Sequence, residues 1–187
     1  MTSHALRIAL PDWVDELVEW TRQYTTDESR MRLAIALASE NVQRGGGPFG
    51  AVIVEEETGR LVSVGVNRVI PENNSTLHAE VLAFMMAQRQ VASYTLGAPG
   101  LPAHTLVSSC EPCAMCLGAT LWSGVRRLVC GATRDDAMRA GFDEGPVFPE
   151  SYRYLEARGM TIVRGVLQEE ARAVLERYAS TGEIYNG

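Results

Sequence analysis

The sequence contains no lysine, and all 17 of its basic residues are arginine. That absence excludes a Schiff-base lysine, a P-loop lysine and a lysine general base. Histidine is scarce too, limited to His4, His78 and His104, so any imidazole chemistry rests on one of three positions. Positive charge is in deficit, with 17 basic against 23 acidic residues and a net charge of −6. A general grip on nucleic acid needs clustered cations, so no nucleic-acid partner is expected. No apolar run approaches the roughly 18–20 residues of a membrane span, and the first residues lack the charged-then-apolar pattern of a signal peptide. The expectation is a soluble, cytoplasmic protein with reduced thiols. Repeats, low-complexity stretches and linkers are missing as well. At 187 residues the chain reads as a single domain over 1–187, large enough for a core without staples.

What is present alternates in period. Helical spacing marks residues 11–20, where Trp13, Leu17 and Trp20 recur as a packing stripe, and 28–44, where Met31, Ile35, Ala38 and Val42 do the same. A Gly-Gly-Gly-Pro run then breaks the pattern. Two β-rich runs, 49–54 and 61–66, flank a Thr58-Gly59 turn and read as a hairpin. Beyond a polar break at 71–76, a helix is expected over 78–91. A strand at 105–108, a helix at 113–122 and a strand at 127–131 follow. Short helices at 135–140 and 150–158, a strand at 160–164 and a last helix at 168–180 complete the chain. Helices interleaved with strands after an initial hairpin imply an α/β fold: a three-layer α/β/α sandwich around a mixed sheet.

The chemistry concentrates in His78-Ala79-Glu80 and Pro112-Cys113-Ala114-Met115-Cys116. Cys113 and Cys116 are three apart and share one face of a helix. At a helix N-terminus the dipole and free N–H groups favour thiolates, the form that binds metal. Two cysteines and a histidine suit Zn²⁺. A structural zinc site closes with a fourth protein ligand, whereas a catalytic one keeps a position open for water. Cys110 is the nearest fourth candidate, but it ends a strand ahead of the Glu111-Pro112 turn and is expected to point elsewhere. His104 reads as a loop or strand-edge residue. Glu80 is placed to exchange protons with a metal-activated water. Residues two apart do not share a regular helix face, so His78 and Glu80 converge only if the pair sits at a helix start. A redox Cys-x-x-Cys and plain core packing remain the competing readings of the two cysteines.

His-x-Glu followed by Pro-Cys-x-x-Cys resembles the signature of zinc-dependent nucleobase deaminases. The chain is similar to the cytidine deaminase-like superfamily over roughly residues 30–185, in GGPFGAVIV (46–54), NRV (67–69), HAE (78–80), SSCEPCAMC (108–116) and GFDEGP (141–146). The resemblance implies a five-stranded sheet between helices and a homodimer. It also implies zinc held by His78, Cys113 and Cys116, and Glu80 as proton shuttle in a hydrolytic deamination that releases ammonia.

GFDEGP resembles the segment found in small bacterial guanine deaminases, including a subgroup that also accepts aminotriazines such as ammeline. That likeness implies a second catalytic carboxylate at Glu144, ring walls at Phe49 and Phe142, and a ring-edge contact at Asn67. The Ala79 backbone would complete that edge. It also implies that the Glu183-Ile184-Tyr185-Asn186 tail closes the site. The substrate expected is a free aminated heterocycle, guanine first. A cytosine or other pyrimidine deaminase and a tRNA adenosine deaminase are the alternatives.

Overall fold

The structure is a computed structural model that describes residues 6–181 and 183–185. His4 and Asn186 lie outside the described residues. Five strands form one mixed sheet in the order β2-β1-β3-β4-β5. β1 (Gly50–Glu55) pairs antiparallel with β2 (Leu61–Val66) and with β3 (His104–Cys110). β4 (Arg127–Ala132) runs parallel to β3, and β5 (Thr161–Val163) parallel to β4. The hairpin and the mixed sheet expected from the sequence are both present.

Strand alternation divides the core into two layers. Val52 and Val54 of β1, with Val107 of β3 and Val129 of β4, pack on the face that carries Met31, Ala34 and Leu37 of α2 (Asp27–Gln43). Ala51 and Ile53, with Leu106 and Leu128, pack on the opposite face. There they meet Ala79, Ala83 and Phe84 of α4 (Ala79–Gln90) and Leu117 of α5 (Ala114–Ser123). Period-two side chains in a sheet covered on both sides give this partition. Ile53, Leu106 and Leu128 are wholly buried, and each contributes about 1.5–3 kcal/mol by leaving water. The layers make the three-layer sandwich that the alternation implied.

Gly65 sets how closely α4 lies on β2. A Cβ at that position would stand 2.0 Å from the Ala79 carbonyl oxygen and 2.6 Å from Ala83 N. Any side chain there would lift the first turn of α4 off the sheet, and that turn carries His78 and Glu80.

The other helices are α1 (Trp13–Leu17), α3 (Val69–Glu72), α6 (Arg134–Arg139), α7 (Pro149–Ala157) and α8 (Gln168–Thr181). Three differences from the sequence expectation have local causes. α1 stops at Leu17, so Trp20 leaves the packing stripe; it is 37% exposed and donates its indole N–H to Asp15. The polar break contains α3, which ends at Asn73 in a left-handed conformation that asparagine tolerates. His104 is fully buried at the start of β3 with Nδ1 on Leu96 O at 2.9 Å, so it is a core residue rather than a loop or edge one.

No helix among the described residues is long and apolar enough to cross a membrane.

Candidate active site

The two helices on one face of the sheet start beside each other. His78 is the N-cap of α4 and Cys113 the N-cap of α5, each with extended backbone (φ −68°, ψ 157° and φ −65°, ψ 173°). His78 makes no bond back to its own helix, and the Cys113 sulfur meets its helix at Cys116, a fellow donor. Both helices therefore begin one residue later than periodicity suggested, and each cap side chain is free to turn outward. The arrangement also resolves the spacing of His78 and Glu80. His78 stands outside the helix and Glu80 in its first turn, so the two converge.

His78, Cys113 and Cys116 bring one donor atom each to within 4.8 Å of one another. His78 Nδ1 lies 3.5 Å from both sulfurs. Zinc bonds of about 2.3 Å to sulfur and 2.0–2.1 Å to nitrogen, at tetrahedral angles, separate N and S by about 3.5 Å. The donor set and its spacing therefore fit a tetrahedral zinc ion with one position left over. Cys113 sits at the free N–H end of α5. Hydrogen bonding from Cys116, then from His78, holds its thiol down at about 4, overcoming burial. It is the thiolate of the pair.

Cys110 is buried with its Sγ on Thr133 O at 3.6 Å, and Cys130 is buried inside β4; neither joins the group. None of the four cysteines is in a disulfide.

Two carboxylates face the same pocket. Glu80 is buried, and desolvation followed by the Cys113 thiolate raises its pKa. Its oxygens are held by Ser108 Oγ at 3.2 Å and Cys116 Sγ at 3.4 Å. Glu144 comes from the loop between α6 and α7, is 6% exposed, and is pushed up to about 8, first by burial and then by Cys113 and Glu80. Its loop is fixed by Ala114 N–H donating to Glu144 O at 3.0 Å and Arg134 Nη2 donating to Gly145 O at 3.3 Å.

The walls are aromatic. Phe49 meets Phe142 edge-on at 5.0 Å, and Phe142 meets Tyr185 edge-on at 5.6 Å and stacks on Tyr178 at 6.0 Å. Tyr185, in the C-terminal tail, lies over the pocket. Phe49, His78, Glu80, Glu111, Cys113, Phe142, Asp143, Glu144 and Tyr185 line a small, partly open cavity of about 40 Å³.

Of the residues expected from the sequence, the structure gathers His78, Glu80, Cys113, Phe49, Phe142 and Glu144 on this wall, with Cys116 buried against Glu80. Ala79 is buried in the first turn of α4, off the wall. Asn67 is buried beside Gly47 and the Tyr185 hydroxyl, with Oδ1 accepting from Val69 N–H and Nδ2 unpartnered.

Sequence reasoning missed Ser108, which steadies Glu80, and Glu111. Glu111 reaches the wall while its carboxylate accepts from Arg164 Nε at 2.7 Å and Arg134 N–H at 2.8 Å. Both lie inside the quoted segment 108–116, but the signal there is carried by the cysteines.

A family described as the cytidine and deoxycytidylate deaminase zinc-binding region matches residues 24–132. The chain is similar to the guanine deaminase of Bacillus subtilis, at 39% identity over 76% of this chain and 87% of the relative. It is similar to the tRNA-specific adenosine deaminase of Buchnera aphidicola at 30% identity, over 81% and 93%. The solved structure of a guanine deaminase from Nitrosomonas europaea superposes with a TM-score of 0.91 at 42% identity, covering 96% of this chain and 99% of that one. With a zinc-shaped donor group at two helix starts and a matching family over more than half its length, the chain belongs to the cytidine and deoxycytidylate deaminase family of zinc-dependent aminohydrolases.

Proposed function

We propose that this enzyme hydrolyses the exocyclic amine of free guanine, giving xanthine and ammonia, with related aminotriazines as further candidates. The observation that carries the choice of a free base is the aromatic wall of the site: Tyr185, from the chain's own tail, meets Phe142 edge-on and lines the pocket with Phe49. A flat ring is the kind of ligand that such aromatic walls take, whereas a polynucleotide needs an open path to its backbone. The relatives named above as guanine deaminases support the same reading.

His78, Cys113 and Cys116 hold the zinc in this mechanism. Zinc bound there supplies a water activated at neutral pH. Glu80, buried against Cys116 beside the donor group, would hold and pass on a proton at its carboxylate. Its raised pKa, set first by burial and then by the Cys113 thiolate and only partly offset by His78, suits a group that accepts a proton and hands it on to the ring nitrogen and the departing amine. Glu144, at about 8, carries its proton at neutral pH and offers it as a hydrogen-bond donor to the same end of the substrate. Phe49 and Phe142 clasp the ring faces, while Asn67 Nδ2 reads the far edge.

The reading includes a homodimer and a reducing, cytoplasmic setting, which keeps the cysteine ligands as thiols. Met115, Gly118 and Trp122 form an exposed stripe along α5, with Trp122 78% exposed, and a second copy seated there would cover it. Sedimentation that finds a single-chain mass would remove the dimer.

The test of the activity is ammonia release across guanine, ammeline, cytosine, adenosine and tRNA. Guanine should turn over fastest. Rapid turnover of cytosine with none of guanine would overturn the substrate assignment.

A further inference from the structure

We propose that Asn41 is a positioning residue for the ring-reading edge of this site, acting through Asn67 and the glycine loop in front of it. It rests on the reading of Asn67 as a ring contact.

Asn41 lies near the end of α2, on the same buried row as Ala34, Leu37 and Ala38, and has no exposed surface. A polar amide in that row needs partners. Its Nδ2 donates to two carbonyls, Asn67 O at 2.7 Å and Gly47 O at 2.8 Å. Both partners are acceptors, which fixes which end of the amide faces them. Asn67 N–H in turn donates to Phe49 O at 3.1 Å. One amide thus joins the loop entering β1, the aromatic wall and the residue leaving β2.

The requirement for asparagine is specific. Two carbonyls served from one atom call for an NH₂ group at this length; aspartate has no proton to donate and leucine has none at all. The loop is built around the amide as well. Gly46 N–H donates to Asn41 O at 2.8 Å, and a Cβ on Gly46 would stand 2.4 Å from Nδ2 and 2.5 Å from Oδ1. Gly47 has a matching reason: a Cβ there would come within 2.1 Å of the Tyr185 hydroxyl and 2.8 Å of Asn67 Oδ1.

The consequence falls on Asn67. Its Oδ1 is occupied by Val69 N–H, which leaves Nδ2 as a buried donor without a partner. With its carbonyl pinned by Asn41, that donor is held at one position before a ring arrives. None of the three zinc-donor residues bonds to Asn41, so the effect should appear in substrate binding and leave the metal alone.

The experiment compares Asn41→Leu, Asn67→Ala and the double variant in steady-state guanine deamination, with zinc content measured on each. Asn41→Leu should raise KM by about tenfold or more, the scale of a site loosened by about an ångström, with kcat within about threefold and zinc unchanged. In the Asn67→Ala background the same change should move KM by less than about twofold, because the two residues act as one unit. An unchanged KM in folded Asn41→Leu protein, or an equal rise in both backgrounds, would overturn the proposal and return Asn41 to packing. Should Asn41→Leu fail to fold, Gly46→Ala displaces the amide without deleting it and is read in the same two backgrounds. A wild-type KM in Asn67→Ala alone would remove the ring contact itself, a result distinct from any failure of Asn41.

Discussion

Two pairs of helix starts in this molecule are built in opposite ways. α2 and α6 begin with Thr26 and Thr133, whose hydroxyls accept from the third residue of the helix, Ser29 and Asp136, while those side chains bond back to the cap. These are reciprocal capping boxes, and each threonine cap is worth about 1 kcal/mol. α4 and α5 begin with His78 and Cys113, neither of which forms a capping box. The free N–H groups and the positive end of the dipole are left facing the pocket, where they favour a thiolate and a carboxylate. Stability sits at the first pair of starts and chemistry at the second.

The largest effect should follow from turning one kind of start into the other. Cys113→Ser places a good cap where a metal ligand stood. It should strip zinc from the protein and lower guanine deamination by at least about 10³-fold, since the activated water is lost. The metal-free variant should nonetheless be more stable than metal-free wild type by up to about 1 kcal/mol. Zinc content and denaturant midpoints of both metal-free proteins decide it, and a lower midpoint for the variant would break the comparison. Glu80→Gln, one turn into α4, separates the roles further. It should keep the zinc and lose about 10²–10⁴ in kcat, whereas activity near wild type would take Glu80 out of the proton path.

Thr133→Ala is the converse change. It should cost about 1 kcal/mol of stability and leave kcat/KM unaltered, because Thr133 caps a helix outside the pocket wall. A fall in kcat/KM with zinc intact would mean that α6 also positions the Glu144 loop, through Arg134 on Gly145 O.

The same contrast explains what could be read in the sequence. The metal group was legible because all three donors fall in two short segments whose spacing has few other uses. The strands were legible because β1, buried on both faces, reads as a continuous β-rich run ended by a glycine turn. Helix starts slipped by one residue at His78 and Cys113 because a cap residue looks helical to a periodicity argument while its backbone is extended. Asn41 was illegible for a different reason. Its partners, Gly47 and Asn67, lie up to 26 residues away, and nothing local distinguishes an amide that joins two carbonyls from one on a solvated helix face. His104 misled in the same manner: a histidine after a Gly/Pro-rich loop reads as exposed, yet β1 and β4 flank β3 and bury it.

The smallest effect concerns the acids in the first turns. Asp27 in α2 and Glu80 in α4 occupy similar places and have moved in opposite directions. Asp27 is held below the usual carboxylate range, first by the paired hydrogen bonds from Arg127 at 2.6 Å and against the cost of partial burial. Glu80 is raised because burial, then the Cys113 thiolate, outweigh the opposing charge of His78. A carboxylate with a lowered folded pKa adds stability that is complete above its unfolded value, near 4, and is lost as pH falls through the lower folded value. The tie from α2 to β4 is partly open to solvent, so its worth at neutral pH is about 1 kcal/mol. Asp27→Asn should lower stability by that amount at pH 7 and narrow its gap to wild type as pH drops below about 4, with activity unchanged. Urea midpoints at pH 7 and pH 3 measure both arms. A gap that widens in acid would mean that Asp27 works against the fold there, and that the division between stabilising and reacting helix starts does not extend to their first-turn acids.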